Sequence, residues 1–101
     1  MIKIMDNKGF HLTVGKYTLS VQTGPYNYCG DYYDFNKERP DIGLPKTKSV
    51  WESENAEVAV WTEENWCTEK FFKDADQVKG YVKAPEIARA IKMMYDLLEE
   101  E

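Results

Sequence analysis

The chain is poor in the residues that most enzymes and metal sites depend on. It has one histidine, His11, and two cysteines, Cys29 and Cys67. The cysteines follow no CxxC spacing, and one imidazole cannot complete a zinc site with them. No metal or cofactor is expected. Nucleophilic relays of the Ser/His/Asp or Cys/His kind need a positioned base. His11 alone is available, on the polar side of an alternating strand. P-loop, GxGxxG and HExxH patterns are missing. Glutamates are too numerous for any one pair to stand out as an acid–base couple. The expectation is a protein that is not an enzyme.

Other shortages narrow the class further. No run of eighteen apolar residues occurs, so no membrane-spanning helix is expected. The start, MIKIMDNKGF, lacks a basic patch followed by an apolar stretch, and no secretion signal is expected there. Two unpatterned thiols suit a reducing compartment, although the spacing leaves open whether Cys29 and Cys67 pair. Positive charge is scarce: 13 basic against 18 acidic residues, a net charge of −5. Duplex nucleic acid is therefore an unsuitable partner, because its binding is driven by cationic neutralisation of phosphates. With 101 residues, the chain has room for one core, and residues 1–101 read as a single domain.

What is present is an uneven distribution of rings and charges. Residues 24–35 read GPYNYCGDYYDF, with four tyrosines and a phenylalanine among glycines, a proline and aspartates. Basic residues follow directly: Lys37, Arg39, Lys46 and Lys48. Residues 49–69 then hold six glutamates and no lysine or arginine.

Regular structure is expected on either side of this irregular stretch. FHLTV and YTLSVQT both alternate, with Phe10, Leu12, Val14, Tyr17, Leu19 and Val21 on one face. A Gly15-Lys16 turn joins them into a hairpin. MIKIM reads as an additional N-terminal strand. SVWES and AEVAVW read as strands around a Glu54-Asn55 turn, with Val58 and Val60 opposite Ala59 and Trp61. TEEN turns the chain into WCTEKFF, expected to be another strand, and residues 78–82 are expected to form a short one. APEIARAIKMMYDLLEEE reads as a helix. Pro85 is expected at its first position, and Ile87, Ile91, Met94, Tyr95 and Leu98 form its apolar stripe. The expected fold is α+β: an antiparallel meander of four to five strands, one C-terminal helix packed on the sheet, and one long aromatic loop.

That loop carries the candidate site. Its length marks it as functional or disordered, and its aromatic content argues against disorder. Tyr26, Tyr28, Tyr32, Tyr33 and Phe35 can present faces for nucleobases, since any base stacks on a ring. Asn27 can bond a base edge. Lys37, Arg39 and Lys48 can neutralise a phosphate, and Trp51, just beyond Lys48, can stack on a ligand held there. The competing reading is structural: the tyrosines fold the loop over a sheet edge or build a subunit contact. Trp51, Trp61 and Trp66 are open to the same packing reading. The glutamate-rich stretch is either a solvated face or a mimic of a phosphate row that blocks a nucleic-acid enzyme. An accessory structural or assembly role is a further alternative.

Three segments resemble a family of small bacteriophage proteins: FHLTVGKYTLSVQTGPYNYC at 10–29, WESENAEVAVW at 51–61, and VKGYVKAPEI leading into the helix. The family resembled is that of the phage anti-CBASS sponges. CBASS is a bacterial defence that signals infection with cyclic oligonucleotides. The resemblance implies a phage protein, made in the host cytoplasm, that assembles as a homo-oligomer, with a tetramer as the expected state. It implies binding of cyclic dinucleotides such as 3′3′-cGAMP without cleavage. It supplies no ligand residues; those named above come from the physical reading.

Overall fold

The computed structural model describes residues 1–5, 9–23 and 54–100. Five strands, β1 (Ile2–Met5), β2 (Gly9–Val14), β3 (Tyr17–Gln22), β4 (Asn55–Trp61) and β5 (Lys79–Lys83), form one antiparallel sheet in the order β1-β2-β3-β4-β5. This is the expected meander, with MIKIM as its first strand. The long connection therefore lies between β3 and β4. Two helices complete the described fold, α1 (Thr68–Phe71) and α2 (Ala84–Glu100).

The sheet has one dry face because its apolar positions fall in register. Leu12 pairs with Leu19, and Leu19 with Val60. Phe10 pairs with Val21, and Val21 with Val58. Side chains of paired residues project to the same side of a sheet, so these rows stack into one surface. Val14, Tyr17, Ala56 and Val82 extend it, and α2 and Phe72 close it off. Leu19 and Val60 are fully buried at its centre. The β2–β3 hairpin turns at Gly15, whose φ is +59°. A positive φ at the first of two loop residues is what a type II′ turn requires, and glycine supplies it without steric cost.

α2 begins directly where β5 ends and crosses from β5 toward β2. Ala90 and Met94 are buried, with Ile87, Ile91 and Leu97 packed beside the core. The expected stripe is thus corrected at two places: Tyr95 is 48% exposed and Leu98 42%. Leu97 faces the sheet in place of Leu98. Ala84 occupies the first helical position, and Pro85 follows it, still within the turn whose N–H groups lack helical partners. Asn55, expected in a turn, already belongs to β4.

The largest departure concerns WCTEKFF. Only Trp66 pairs with the sheet, through an isolated bridge to Trp61, and residues 68–71 are helical. The reason lies in the edge of β4. β5 pairs with β4 at Val58 and Ala56 but starts at Lys79, short of Val60. The Val60 backbone would face an empty edge. Cys67 N–H donates to the Val60 carbonyl at 2.8 Å, and the Val60 N–H donates to Thr68 Oγ1 at 2.9 Å. The Thr68 hydroxyl donates onward to the Gln77 carbonyl at 2.6 Å. Buried backbone groups must find partners, and a short helix that presents Thr68 inward provides them. The same turn buries Phe72 in the core and sets Phe71 edge-on to Tyr17, with ring centroids 5.0 Å apart.

α2 leaves much of β1 uncovered. Ile2 and Ile4 pair with Leu12 and Phe10, so they continue the apolar face, yet each is 68% exposed. An apolar strand at a sheet edge is an adhesive surface.

Candidate functional site

Every residue of the expected ligand site, Tyr26, Asn27, Tyr28, Tyr32, Tyr33, Lys37, Arg39, Lys48 and Trp51, lies outside the described residues, as do Phe35, Cys29 and the whole expected SVWES strand. The structure fixes the flanks of that segment. The chain leaves the sheet after Gln22, at the end of β3, and returns at Asn55, the start of β4. Gln22 pairs with Glu57 one strand over. These are two of the sheet's three inner strands, each held by neighbours on both sides. Loops that bind are commonly carried on rigid supports of this kind.

The opposite end of the same strands holds a cleft of about 710 Å³. The β2–β3 turn forms one wall with Gly15 and Lys16, and residues 62–65 form the other. Thr13, Thr18 and Trp61 project from the sheet face opposite the core. Thr13 and Thr18 are a cross-strand pair whose hydroxyl oxygens lie 3.1 Å apart. Trp61 is propped on both sides: His11 meets it edge-on at 5.1 Å and Trp66 at 5.5 Å between ring centroids. The 62–65 turn is fixed by Thr62, whose Oγ1 accepts from the N–H groups of Glu64 and Asn65.

Two cations share Tyr17 at the cleft's inner end. Lys16 Nζ lies 5.4 Å and Lys70 Nζ 5.3 Å from its ring centroid. Lys70 also donates to the Tyr17 hydroxyl at 2.9 Å, so it sits at the polar rim of the ring rather than over its face. Glu63 and Glu64 stand on the outer wall. Ammonium groups, hydroxyls, carboxylates and a tryptophan ring thus line one cleft.

Cys67, in the cleft lining, and His11, beside Trp61, are shifted by their surroundings. Burial raises the Cys67 thiol above its ordinary 9.0, and Glu69 adds to the rise, while Lys70 and Lys16 pull the other way. Activated cysteines show the opposite shift. Cys67 is a free thiol that stays protonated at neutral pH. His11 falls below its ordinary 6.5, first through burial and then through Lys3, its cross-strand partner on β1. The imidazole is neutral at pH 7 and acts as packing for Trp61. Among the described residues no group of histidine, cysteine and carboxylate side chains is placed to hold a metal ion, and no helix is long and apolar enough to cross a membrane. The arrangement suits binding, with hydrogen-bond donors, acceptors and a ring in fixed positions.

No protein-family model, curated protein or solved structure matches the chain. Its function is read from its own residues. Of those lining the cleft, the sequence had marked Trp61 as a ring of interest, Cys67 as a thiol, and Glu63 and Glu64 as acidic. Thr13, Lys16, Tyr17, Thr18 and Lys70 carried no signal as a group. Tyr17 and Lys70 are 53 positions apart and meet only through the fold.

Proposed function

We propose that the protein captures cyclic dinucleotides such as 3′3′-cGAMP and withholds them without cleavage, as a phage protein acting in the host cytoplasm against CBASS-type signalling. The observation that carries this reading is the order of residues between β3 and β4: rings first (Tyr26, Tyr28, Tyr32, Tyr33), then cations (Lys37, Arg39, Lys48), then Trp51. A cyclic dinucleotide carries two flat bases and two phosphates. Stacking on aromatic faces contributes roughly 1–3 kcal/mol per base, and charge-assisted hydrogen bonds hold the phosphates. Net acidity does not oppose this, because charges beyond about 10 Å are screened at ordinary salt. The two strands that carry the loop are pinned in the core, which supports low-entropy binding.

Self-association is the second part of the proposal. Its support is the uncovered edge of β1, where Met1, Ile2 and Ile4 are exposed together. Titration calorimetry with a panel of cyclic dinucleotides tests the ligand. Saturable binding, with the nucleotide recovered intact after the protein is heated, is the expected result. Absence of heat at micromolar ligand would remove the reading. A second reading, an acidic inhibitor of a host protein, draws on the exposed Glu63 and Glu64 at the tip of the 62–65 turn. It requires a stable host complex in a pull-down, weakened by Glu63→Lys and Glu64→Lys together.

A further inference from the structure

We infer that β1 pairs edge to edge with β1 of a second copy of this chain, antiparallel about a twofold axis, so that two five-stranded sheets join into one. This rests on the self-association reading and deepens it. Hydrogen bonds at the start of the chain set which backbone groups are free to pair. The Met1 nitrogen donates to the Thr13 carbonyl at 3.1 Å, and the Thr13 N–H donates to the Met1 carbonyl at 2.8 Å. Met1 and Thr13 are thus a mutually bonded pair. Such pairs alternate along an antiparallel ladder with pairs that share no hydrogen bond. In the register Ile2–Leu12, Lys3–His11, Ile4–Phe10, the next bonded pair is therefore Lys3–His11. The N–H and C=O groups of Ile2 and Ile4 point the other way, off the edge of the sheet, where β1 has no neighbour among the described residues. Both side chains lie on the dry face, and each residue is 68% exposed.

An extended strand presents donors and acceptors at the spacing this edge requires. β1 itself meets the requirement. A twofold axis through Lys3 sets Ile2 of each copy opposite Ile4 of the other, and each of these two pairs exchanges two hydrogen bonds. An edge that complements itself closes at two copies. The same operation places the isoleucines of both copies on one continuous dry face, next to the partly buried Phe10 and Leu12. Met1, Ile2 and Ile4 together expose roughly 400 Å² per copy, within the about 300–600 Å² of apolar patches that are often functional. Two such patches fall short of the roughly 1,200 Å² of stable interfaces, so the dimer dissociates on dilution. Lys3 also limits its strength. Lys3 is exposed, on the sheet face it shares with His11, and across the axis it meets its own copy. Like charges directly opposite weaken a strand pair, and salt screens them.

The test is sedimentation velocity of the full chain over a range of concentrations, beside Ile4→Pro and Ile4→Val. The Ile4 N–H faces the free edge, and proline is tolerated on edge strands at such positions. Ile4→Pro is therefore expected to keep the circular dichroism of the fold and to weaken dimerisation at least about tenfold, while Ile4→Val keeps the dimer. Added salt is expected to tighten it. The register has its own test, which also serves if Ile4→Pro fails to fold. ¹⁵N-labelled wild-type chain is mixed with unlabelled Lys3→Glu and examined by native mass spectrometry. Mixed dimers are expected to exceed the statistical share, because lysine then meets glutamate across the axis; a statistical mixture overturns the Lys3-centred register. A chain that stays monomeric overturns the proposal and the self-association reading together. A folded Ile4→Pro chain that still dimerises as wild type overturns strand pairing alone and leaves self-association standing. Loss of the dimer in Ile4→Pro beside a flat cyclic-dinucleotide titration of the wild-type chain supports the pairing and removes only the nucleotide reading.

Discussion

Thr68→Val replaces one oxygen by a methyl group at a fully buried position, and the structure sets its cost. The Thr68 hydroxyl accepts from the Val60 N–H and donates to the Gln77 carbonyl. Valine keeps the shape and removes these bonds, along with the longer 3.3 Å contact of the hydroxyl with the Val60 carbonyl. The Val60 N–H is buried and would lose its only described partner on that side of β4. A buried polar group left without a partner costs about 1–3 kcal/mol. The Gln77 carbonyl is only part-buried, so water recovers some of its loss. The Val60 carbonyl keeps its bond from Cys67. The expected total is about 2–4 kcal/mol, a large share of the roughly 5–15 kcal/mol that holds a domain together. At about 4–8 °C per kcal/mol for a domain near this size, the melting temperature should fall by about 10–20 °C. Urea denaturation followed by far-UV circular dichroism gives the free energy. Thr68→Ser is the control: it keeps the oxygen, loses one methyl, and should cost about 1 kcal/mol. If Thr68→Val changed stability by less than about 0.5 kcal/mol, or if serine were as damaging as valine, the account of how α1 closes the β4 edge would be wrong.

Four other outcomes follow from the same reasoning. Gly9→Ala should prevent stable folding or cost several kcal/mol by thermal melt, because a Cβ at Gly9 would overlap the Val21 carbonyl oxygen across the β2–β3 ladder. Tyr28→Ala and Arg39→Ala should each weaken cyclic-dinucleotide binding by about tenfold or more in calorimetry, with little change in the melting temperature of the free protein; a large loss of stability would favour the packing reading of the loop. His11 should titrate below 6.5 by proton NMR. Because its folded value lies under its unfolded one, the unfolded chain takes up the proton first, so this group's contribution to stability is intact above pH 6.5 and is lost as pH falls through the folded value; Lys3→Ala should move the midpoint back up. Ile4→Lys should shift the protein to a smaller species in light scattering while the fold stays intact, since Ile4 is exposed within one chain.

Much of the fold was legible because its signals are local. Phe10, Leu12 and Val14 alternate against His11 and Thr13, and Gly15 sits where the turn needs a positive φ. Val58 and Val60 alternate against Ala59 and Trp61 in the same way. These patterns follow from the period of two in a strand and need no knowledge of the rest of the chain. The errors arose where a neighbour decides. Leu97 and Leu98 are consecutive, and the sequence cannot say which faces the sheet; the crossing of α2 from β5 toward β2 settles it for Leu97. Ala90, with its small side chain, contributes little to an apolar stripe read by eye, yet it is buried. WCTEKFF has the tryptophan, threonine and phenylalanines of a strand, but the unpaired backbone of Val60 captures Thr68 and the helix wins. The cleft was invisible for the same reason. Lys16 directly precedes Tyr17, but Lys70 sits on a short helix 53 positions on, and only the fold brings it to the same tyrosine.

Calorimetric titration of the purified full chain with 3′3′-cGAMP tests the central claim most directly. The account predicts saturable heat at micromolar or lower ligand, with unaltered nucleotide released on heating and the affinity weakened by about tenfold or more in Arg39→Ala. A flat titration, or conversion of the nucleotide to a linear product, would contradict it.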